Sequence, residues 1–251
     1  MSVSKLSPSI ALARRLLPLI DLTSLNESDD VAAIQALAQA ARTPQGDVAA
    51  VCTWPGLVVA AAEALKDSGV GLAAVANFPS GEASLGETAA EIRAAIAAGA
   101  DEIDVVIPYR NLLAGDRVAA LRTVEVSREA CGETVLLKVI LETGQLMTAD
   151  NIRLACELAI EGGADFLKTS TGKTQPGATL QAAEVMIMAI AAAGRRARPL
   201  GFKASGGVRT LAQAGAYLQL FEQILGAGSA TPRTFRVGAS ALLSEVQAAL
   251  S

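Results

Sequence analysis

The sequence predicts a (β/α)8 TIM barrel, on two observations. Short β-rich runs alternate with longer alanine-rich helical runs eight times, at intervals of about 25–35 residues, the spacing of a chain that winds strand and helix around a barrel. Hydrophobic residues make up 51% of the 251 residues, which is enough for a large core. A doubly wound open sheet is the alternative, but it would more usually have about six strands and a G-x-G-x-x-G motif after the first, and that motif is missing.

The predicted strands and helices follow one another along the whole chain. The strands cover residues 19–23, 48–54, 71–78, 102–108, 134–142, 165–171, 200–206 and 235–240. Helical patterns such as "SDDVAAIQALAQA" and "TADNIRLACELAIEGGA" lie between them, and several begin with Ser, Thr or Asp caps and end in Gly. Because no linker or charge block interrupts the pattern, we expect one domain over residues 1–251, with residues 1–16 as an N-terminal helical segment.

The composition excludes several functional classes. The chain has no histidine, which removes the commonest general base and the commonest metal ligand. Ser-His-Asp and Cys-His nucleophiles and His-ligated zinc enzymes are therefore excluded, and we expect neither a metal nor a cofactor. A net charge of −4 and an aromatic content of 3% argue against nucleic-acid binding.

Three further features concern the cellular location. The longest apolar stretch, residues 48–62, is interrupted at 53–56 by "TWPG", so it predicts no membrane span. Arg14 and Arg15 lie where a signal peptide would need its apolar region. The three cysteines are widely spaced and odd in number, which argues against a disulfide framework. We therefore expect a cytoplasmic protein.

Charged side chains interrupt several of the predicted strands. They are Asp21, Asp104, Lys138, Glu142, Lys168 and Lys203. Strands of a parallel barrel are buried on both faces and should be apolar, and active sites of such barrels lie at the C-terminal ends of the strands. Taken singly, each residue fits a charge-paired barrel rim. Together, three lysines on three consecutive strands and an aspartate on the fourth strand indicate a common interior site.

The two lysines on the sixth and seventh strands explain what such a site could do. If Lys168 and Lys203 both point inward, their ammonium groups come within about 6 Å, and the repulsion lowers a pKa by about 2 units at an effective dielectric near 20. Partial burial acts in the same direction. A neutral lysine amine attacks carbonyl groups and forms a Schiff base without metal or histidine. Asp104 supplies a carboxylate that can move protons.

The stretch "GADFLKTSTGKT", residues 163–174, ends like a nucleotide-binding P-loop. That motif requires a glycine at position 167, where this chain has Leu167, so the stretch is not a P-loop. Cys52 is expected to be a core or near-site thiol. Glu142 is either a second acid or a salt-bridge partner of Lys138.

Four segments, "DEIDVVIPYR", "LLKVILETG", "DFLKTSTGK" and "GFKASGGVRT", occur in this order. With "LIDLTSL" and "RVGAS", they resemble the signature segments of deoxyribose-phosphate aldolases over residues 19–240. The resemblance implies the reversible cleavage of 2-deoxy-D-ribose 5-phosphate to acetaldehyde and D-glyceraldehyde 3-phosphate. It also implies small-molecule partners only, a sugar phosphate and aldehydes, and a homodimer.

The same resemblance assigns roles to residues of this chain. Lys168 matches the Schiff-base lysine, Lys203 the second lysine that lowers its pKa, and Asp104 the proton-relaying aspartate. Substrate-binding positions are Asp21, Thr23, Lys138 and Thr171. The expected phosphate contacts are Gly172, Lys173, Gly206, Gly207, Gly238 and Ser240. The chain departs from many family members at Ala241, where they have a second serine.

Two other functions stay open on the sequence alone. One is a Schiff-base barrel aldolase or dehydratase that acts on a different carbonyl compound. The other is a barrel that binds a sugar phosphate without turning it over, which would form no covalent imine.

Overall fold

Eight parallel strands close into a barrel in a computed structural model that describes residues 7–194 and 197–251. The barrel strands are β1 Ile20–Thr23, β2 Ala50–Thr53, β3 Gly71–Ala76, β4 Glu102–Val106, β5 Leu136–Ile140, β6 Phe166–Lys168, β7 Gly201–Ser205 and β8 Phe235–Ala239. Each strand pairs with its neighbours in the chain, and β1 pairs with both β2 and β8, which closes the sheet. The predicted (β/α)8 fold is confirmed, and every strand lies inside the stretch predicted for it.

Helices surround the barrel and return the chain from one strand to the next. They are α1 Pro8–Leu16, α2 Val31–Ala40, α3 Val58–Ala64, α4 Leu85–Ala97, α5 Tyr109–Leu113, α6 Arg117–Cys131, α7 Thr143–Leu146, α8 Ala149–Glu161, α9 Leu180–Ala192, α10 Leu211–Leu225 and α11 Leu242–Leu250. Two 3-10 turns, Leu17–Leu19 and Pro55–Leu57, and a two-residue hairpin of Arg42–Thr43 with Gly46–Asp47 complete the described elements. None of the described helices is long and apolar enough to cross a membrane.

Side-chain caps define where the main helices begin. The Ser84 hydroxyl accepts a hydrogen bond from the Glu87 amide, and the Glu87 carboxylate accepts one from the Ser84 amide, a reciprocal pair that starts α4. Thr210 and Gln213 form the same arrangement at α10. The Asp30 carboxylate caps α2 in the same position. These caps are of the residue types predicted for helix starts.

The N-terminal helix lies against the last two helices. The structure describes α1 within the predicted segment 1–16, whereas residues 1–6 of that segment lie outside the described residues. Helix α1 packs on α10 and α11. A Cβ at Gly215 of α10 would lie 2.8 Å from a methyl carbon of Leu12, so the glycine permits the close contact.

The interior of the barrel changes character along its axis. At the lower, N-terminal end, the ring of Phe166 is fully buried and presses on Gly201, where a Cβ would lie 2.6 Å from a ring carbon. The Arg236 guanidinium lies 5.8 Å from the centre of the same ring. Above this level the inward positions carry charged side chains, and these positions form the floor of the cavity at the C-terminal ends of the strands.

Candidate active site

A cavity of about 260 Å³ opens at the C-terminal ends of the strands. Its walls come from the loops that follow β1, β6, β7 and β8. Nine of the predicted site residues line it: Thr23, Lys168, Thr171, Gly172, Lys173, Gly206, Gly207, Gly238 and Ser240. The other four, Asp21, Asp104, Lys138 and Lys203, are fully buried and do not line the cavity.

Lys168 is the charged group that reaches the cavity from below. It ends β6, its side chain is only 3% exposed, and its Nζ donates a hydrogen bond to Asp104 Oδ2 over 2.7 Å. Burial lowers the pKa of Lys168, and the nearby Lys203 ammonium adds to this effect, while Asp104 opposes it. Repulsion by Lys203 was the main cause expected from the sequence, but burial is the larger one.

Asp104 is the centre of the buried network. Its Oδ1 accepts from Lys138 Nζ over 2.6 Å, and its Oδ2 accepts from both Lys168 and Lys203 over 2.7 Å. The two ammonium nitrogens are therefore at most twice that distance apart, in agreement with the predicted approach. Burial favours the neutral acid, but the three lysines outweigh burial and hold the pKa of Asp104 well below its usual value.

Lys203 differs from Lys168 although the two are paired in register on adjacent strands. Its Nζ contacts Asp21 Oδ2 at 2.5 Å as well as Asp104 Oδ2 at 2.7 Å. Burial acts to lower the pKa of Lys203, but the two carboxylates outweigh it, and the pKa is raised. Two neighbouring lysines thus have pKa values shifted in opposite directions, which divides them into a potential nucleophile and a charged proton donor.

A Cβ at Gly238 would lie 2.9 Å from Lys203 Cε, so the glycine leaves the space that the lysine chain occupies. Gly238 was predicted as a phosphate contact, and it also lines the cavity. The residue therefore touches both the buried network and the cavity wall.

The network extends deeper through two residues that the sequence analysis missed. Arg236 Nη1 donates to Asp21 Oδ1 over 2.5 Å, and its Nη2 donates to Glu102 Oε1 over 2.9 Å. Glu102 Oε2 also lies 2.6 Å from Lys138 Nζ. A signal was present, because Glu102 is two residues before Asp104 and Arg236 two before Gly238, and side chains two apart in a strand share a face.

Glu142 does not form the predicted salt bridge with Lys138. It is fully buried at the end of β5, with a left-handed φ of 56°, and its carboxylate accepts hydrogen bonds from the Thr171 hydroxyl and amide. Lys138 instead pairs with Asp21, Glu102 and Asp104. The difference arises because Glu142 follows β5 and points to the next loop, whereas Lys138 lies inside the strand.

The upper wall of the cavity is built from glycine-rich loops. Gly172, Gly206 and Gly207 have φ values of 80°, 88° and 88°, a backbone conformation that residues with a side chain rarely adopt. The start of α11, at Ala241, follows the Ser240 that lines the cavity. Such loops and helix starts present backbone amides to anions.

Two cations flank these loops. Lys173 is exposed; its Nζ donates to the Leu25 carbonyl oxygen over 2.6 Å and lies 5.8 Å from the centre of the Trp54 ring. Arg209, which the sequence analysis did not name, is exposed and lines the cavity. Its position directly after the "GG" of the seventh loop was the available signal.

The Cys52 thiol and the interior carboxylates are further candidates for a nucleophile and for metal ligands, but their neighbours explain both. Cys52 Sγ lies 3.9 Å from Asp104 Oδ2, and burial together with that carboxylate raises the pKa of the thiol, so it stays protonated, as expected for a near-site thiol. Within residues 7–194 and 197–251, no group of three acidic, cysteine or histidine side chains is arranged to hold a metal ion. The interior carboxylates contact lysine or arginine instead.

A closed parallel barrel whose cavity opens onto a buried lysine of lowered pKa defines a class of protein: a barrel equipped for amine chemistry on a small carbonyl compound. The chain belongs to the DeoC/LacD family of aldolases, whose family model matches residues 15–243.

Individual relatives cover nearly the whole chain. A deoxyribose-phosphate aldolase from Agrobacterium fabrum is 48% identical over 231 residues, 92% of this chain and 88% of the relative. A crystal structure of a provisionally named deoxyribose-phosphate aldolase from Toxoplasma gondii ME49 has a TM-score of 0.89 at 26% identity, and the match covers 96% of this chain and 94% of that one. The tetrameric deoxyribose phosphate aldolase of Aeropyrum pernix has a TM-score of 0.74 at 25% identity, and the match covers 98% of this chain and 94% of that one.

Proposed function

We propose that this chain is a deoxyribose-phosphate aldolase that cleaves 2-deoxy-D-ribose 5-phosphate reversibly to acetaldehyde and D-glyceraldehyde 3-phosphate. The reaction passes through a Schiff base on Lys168. One observation carries the proposal: the Lys168 amine, with a lowered pKa, lies at the floor of the cavity and shares one carboxylate oxygen with the charged Lys203. The family and the 48% identical relative support the same activity.

The buried network supplies the protons that the reaction needs. The neutral Lys168 amine attacks the aldehyde carbon of the open-chain sugar, and the carbinolamine loses water to give an iminium ion. The Lys203 ammonium and Asp104 donate and accept the protons of these steps. The iminium accepts the electron pair of the breaking C2–C3 bond as the 3-hydroxyl loses its proton, which releases glyceraldehyde 3-phosphate. The resulting enamine gains a proton at C2, and water then releases acetaldehyde and the free Lys168.

The glycine-rich wall holds the phosphate of the substrate. Its proposed ligands are the amides and side chains of Gly172, Lys173, Gly206, Gly207, Gly238 and Ser240, with Arg209 added as a second cation. Their support is geometric, since all of them line one cavity and three of the glycines have left-handed φ values. Thr23 and Thr171 line the lower wall, where they contact the sugar, while Asp21 and Lys138 act from within the buried floor.

The remaining properties of the protein follow the same proposal. Substrates and products are small molecules, and the chemistry needs no metal or other cofactor, because the iminium itself withdraws the electrons. We propose a cytoplasmic homodimer that binds neither nucleic acid nor membranes. An oligomer is supported by the tetrameric relative from Aeropyrum pernix.

The experiment is reductive trapping. Acetaldehyde and borohydride should leave an N-ethyl group on Lys168 and abolish turnover, and peptide mass mapping should find no comparable label on the exposed Lys173, which serves as an internal control. A separate assay should identify acetaldehyde and glyceraldehyde 3-phosphate as products. A label elsewhere, or an unlabelled protein, would refute the assignment of Lys168. Binding of the sugar phosphate without label or products would indicate a binding protein, and other products a different aldolase.

A further inference from the structure

Seven charged side chains beneath the cavity are linked to one another by ion pairs. They are Asp21, Glu102, Asp104, Lys138, Lys168, Lys203 and Arg236. Four are cations and three are carboxylates, so the network has one positive charge too many when every group is ionised. With Lys168 neutral, three cations face three carboxylates and the buried charges balance.

The other ionisable neighbour does not alter this count. Cys52 on β2 is held as a neutral thiol by burial and by Asp104. The remaining inward side chains on this side, Ala73 and Val75 of β3, are apolar and pack with Cys52. Lys168 is also the member of the network that lines the cavity, so it is the one that a substrate can reach.

The Arg236–Glu102 ion pair lies at the N-terminal end of the barrel, farthest from the cavity in this network, and crosses the barrel from β8 to β4. Its side chains are only 5% and 6% exposed, so water screens the pair little. Each member also holds one of the residues above it, because Arg236 binds Asp21 and Glu102 binds Lys138. Asp21 in turn contacts Lys203, and Lys138 contacts Asp104, so both routes end at the neighbours of Lys168.

We propose that Arg236 and Glu102 are positioning residues that set the net charge of the buried network. With both in place, the charges of the network balance when Lys168 is neutral. This inference rests on the proposed function, in which the neutral Lys168 amine is the nucleophile.

The proposal predicts opposite effects for the two neutralising variants. Arg236→Gln removes a cation, so the network then favours a charged Lys168. The acid limb, the rise of turnover as Lys168 loses its proton, should move to higher pH by about one unit, the scale for a unit charge about 10 Å away at an effective dielectric near 20. Glu102→Gln removes a carboxylate and should move the acid limb to lower pH by a similar amount. The double variant restores the balance, and its acid limb should return close to that of the parent.

The measurements are the pH dependence of turnover and, separately, the pH dependence of borohydride trapping with acetaldehyde. Trapping reports the amine itself and does not depend on carbon–carbon cleavage. Matched controls remove the same charges from the surface: Arg233→Gln, at an exposed arginine three residues before Arg236, and Glu133→Gln, whose side chain is 97% exposed. Neither control should move the acid limb. Arg236→Lys keeps the charge and should leave the acid limb near that of the parent even if turnover falls.

Shifts of the same sign in the two single variants, or a double variant displaced as far as the single ones, would overturn the proposal, because a merely structural role lowers rates without opposed pH shifts. If Arg236→Gln does not melt cooperatively, Glu102→Gln and the double variant decide the matter by the same criteria. Failure of this inference is distinguishable from failure of the proposed function, since labelling of Lys168 in the parent tests the latter alone.

Discussion

The floor and the wall of the cavity are built on different physical principles. The floor consists of side-chain charges that are buried, held by strands and paired with one another at 2.5–2.7 Å. The wall consists of exposed loops in which glycines with left-handed φ values lie beside two solvent-exposed cations. In a buried site each charge shifts the pKa of its neighbours, whereas exposed charges are screened and mainly attract a ligand. Substitutions in the floor should therefore change the pH dependence and the rate, and those in the wall the affinity for phosphate.

The largest effect is expected at Lys168, the floor residue proposed to form the imine. Lys168→Arg should abolish measurable turnover, because a guanidinium stays protonated and cannot form a Schiff base. An assay of acetaldehyde release checks this, with Lys66→Arg as the control on an exposed lysine far from the cavity. Residual activity within about a hundredfold of the parent would place the covalent step elsewhere and remove the contrast between floor and wall.

The next effect is that of the shared carboxylate. Asp104→Asn keeps the size of the side chain but cannot carry a proton, so turnover should fall by about 10²-fold or more, the usual contribution of a general acid–base residue. The Michaelis constant for the sugar phosphate should change much less, because Asp104 does not line the cavity. Activity close to that of the parent would make Asp104 a structural charge partner only.

Lys203→Leu tests whether the two ammonium groups are coupled. Loss of this cation raises the pKa of Lys168, since a neighbouring positive charge disfavours a second one and since Asp104 then has one lysine fewer to neutralise. The acid limb should therefore move to higher pH, and turnover at neutral pH should fall. An unmoved acid limb would show that burial alone accounts for the lowered pKa.

Stability in acid should depend on the buried carboxylates of the floor. Although burial opposes it, neighbouring lysines and Arg236 hold the pKa values of Asp21 and Asp104 below their usual value. Carboxylates of this kind stabilise the fold above their unfolded pKa of about 4, and this stabilisation is lost as the pH falls through their lower folded values. Urea unfolding at stepped pH should show a free energy of unfolding that decreases below about pH 4, with a shallower decrease in Asp104→Asn. If the free energy of unfolding of the parent stays constant below about pH 4, the ion pairs of Asp21 and Asp104 do not stabilise the fold as expected.

The smallest effect is expected in the wall. Ala241→Ser adds a hydroxyl where helix α11 begins, next to the cavity-lining Ser240, and should lower the Michaelis constant for deoxyribose 5-phosphate a few-fold, about one hydrogen bond to a charged group. Unphosphorylated deoxyribose should be unaffected. Kinetics with both sugars on both variants decide the matter, and equal gains on the two would mean that the phosphate does not bind here.

The sequence predicts which residues form the floor better than it predicts their contacts. A charged residue inside an apolar strand is conspicuous, so the sequence alone points to Asp104, Lys138, Lys168 and Lys203, which the fold brings together in one network. Glu102 and Arg236 lie near strand starts, where charged residues are common, so the face that they share with Asp104 and Gly238 is a weak signal, and their pairing across the barrel follows only from its closure. The partner of Glu142 could not be predicted because it depends on the path of the loop after β6. The order of causes for the Lys168 pKa likewise required the burial of that side chain.

Gly238 has a consequence for how this site can be altered. The residue lines the cavity, yet the space above its Cα is filled by the Lys203 chain at 2.9 Å from a hypothetical Cβ. Any side chain introduced here to reshape substrate recognition must shift the Lys203 chain, whose ammonium contacts Asp104. A substitution at this position therefore acts on the cavity wall and on the buried network at once. Variants selected for new acceptors can accumulate at Arg209 or Ser240, whose side chains are exposed, whereas a substitution at position 238 also moves Lys203.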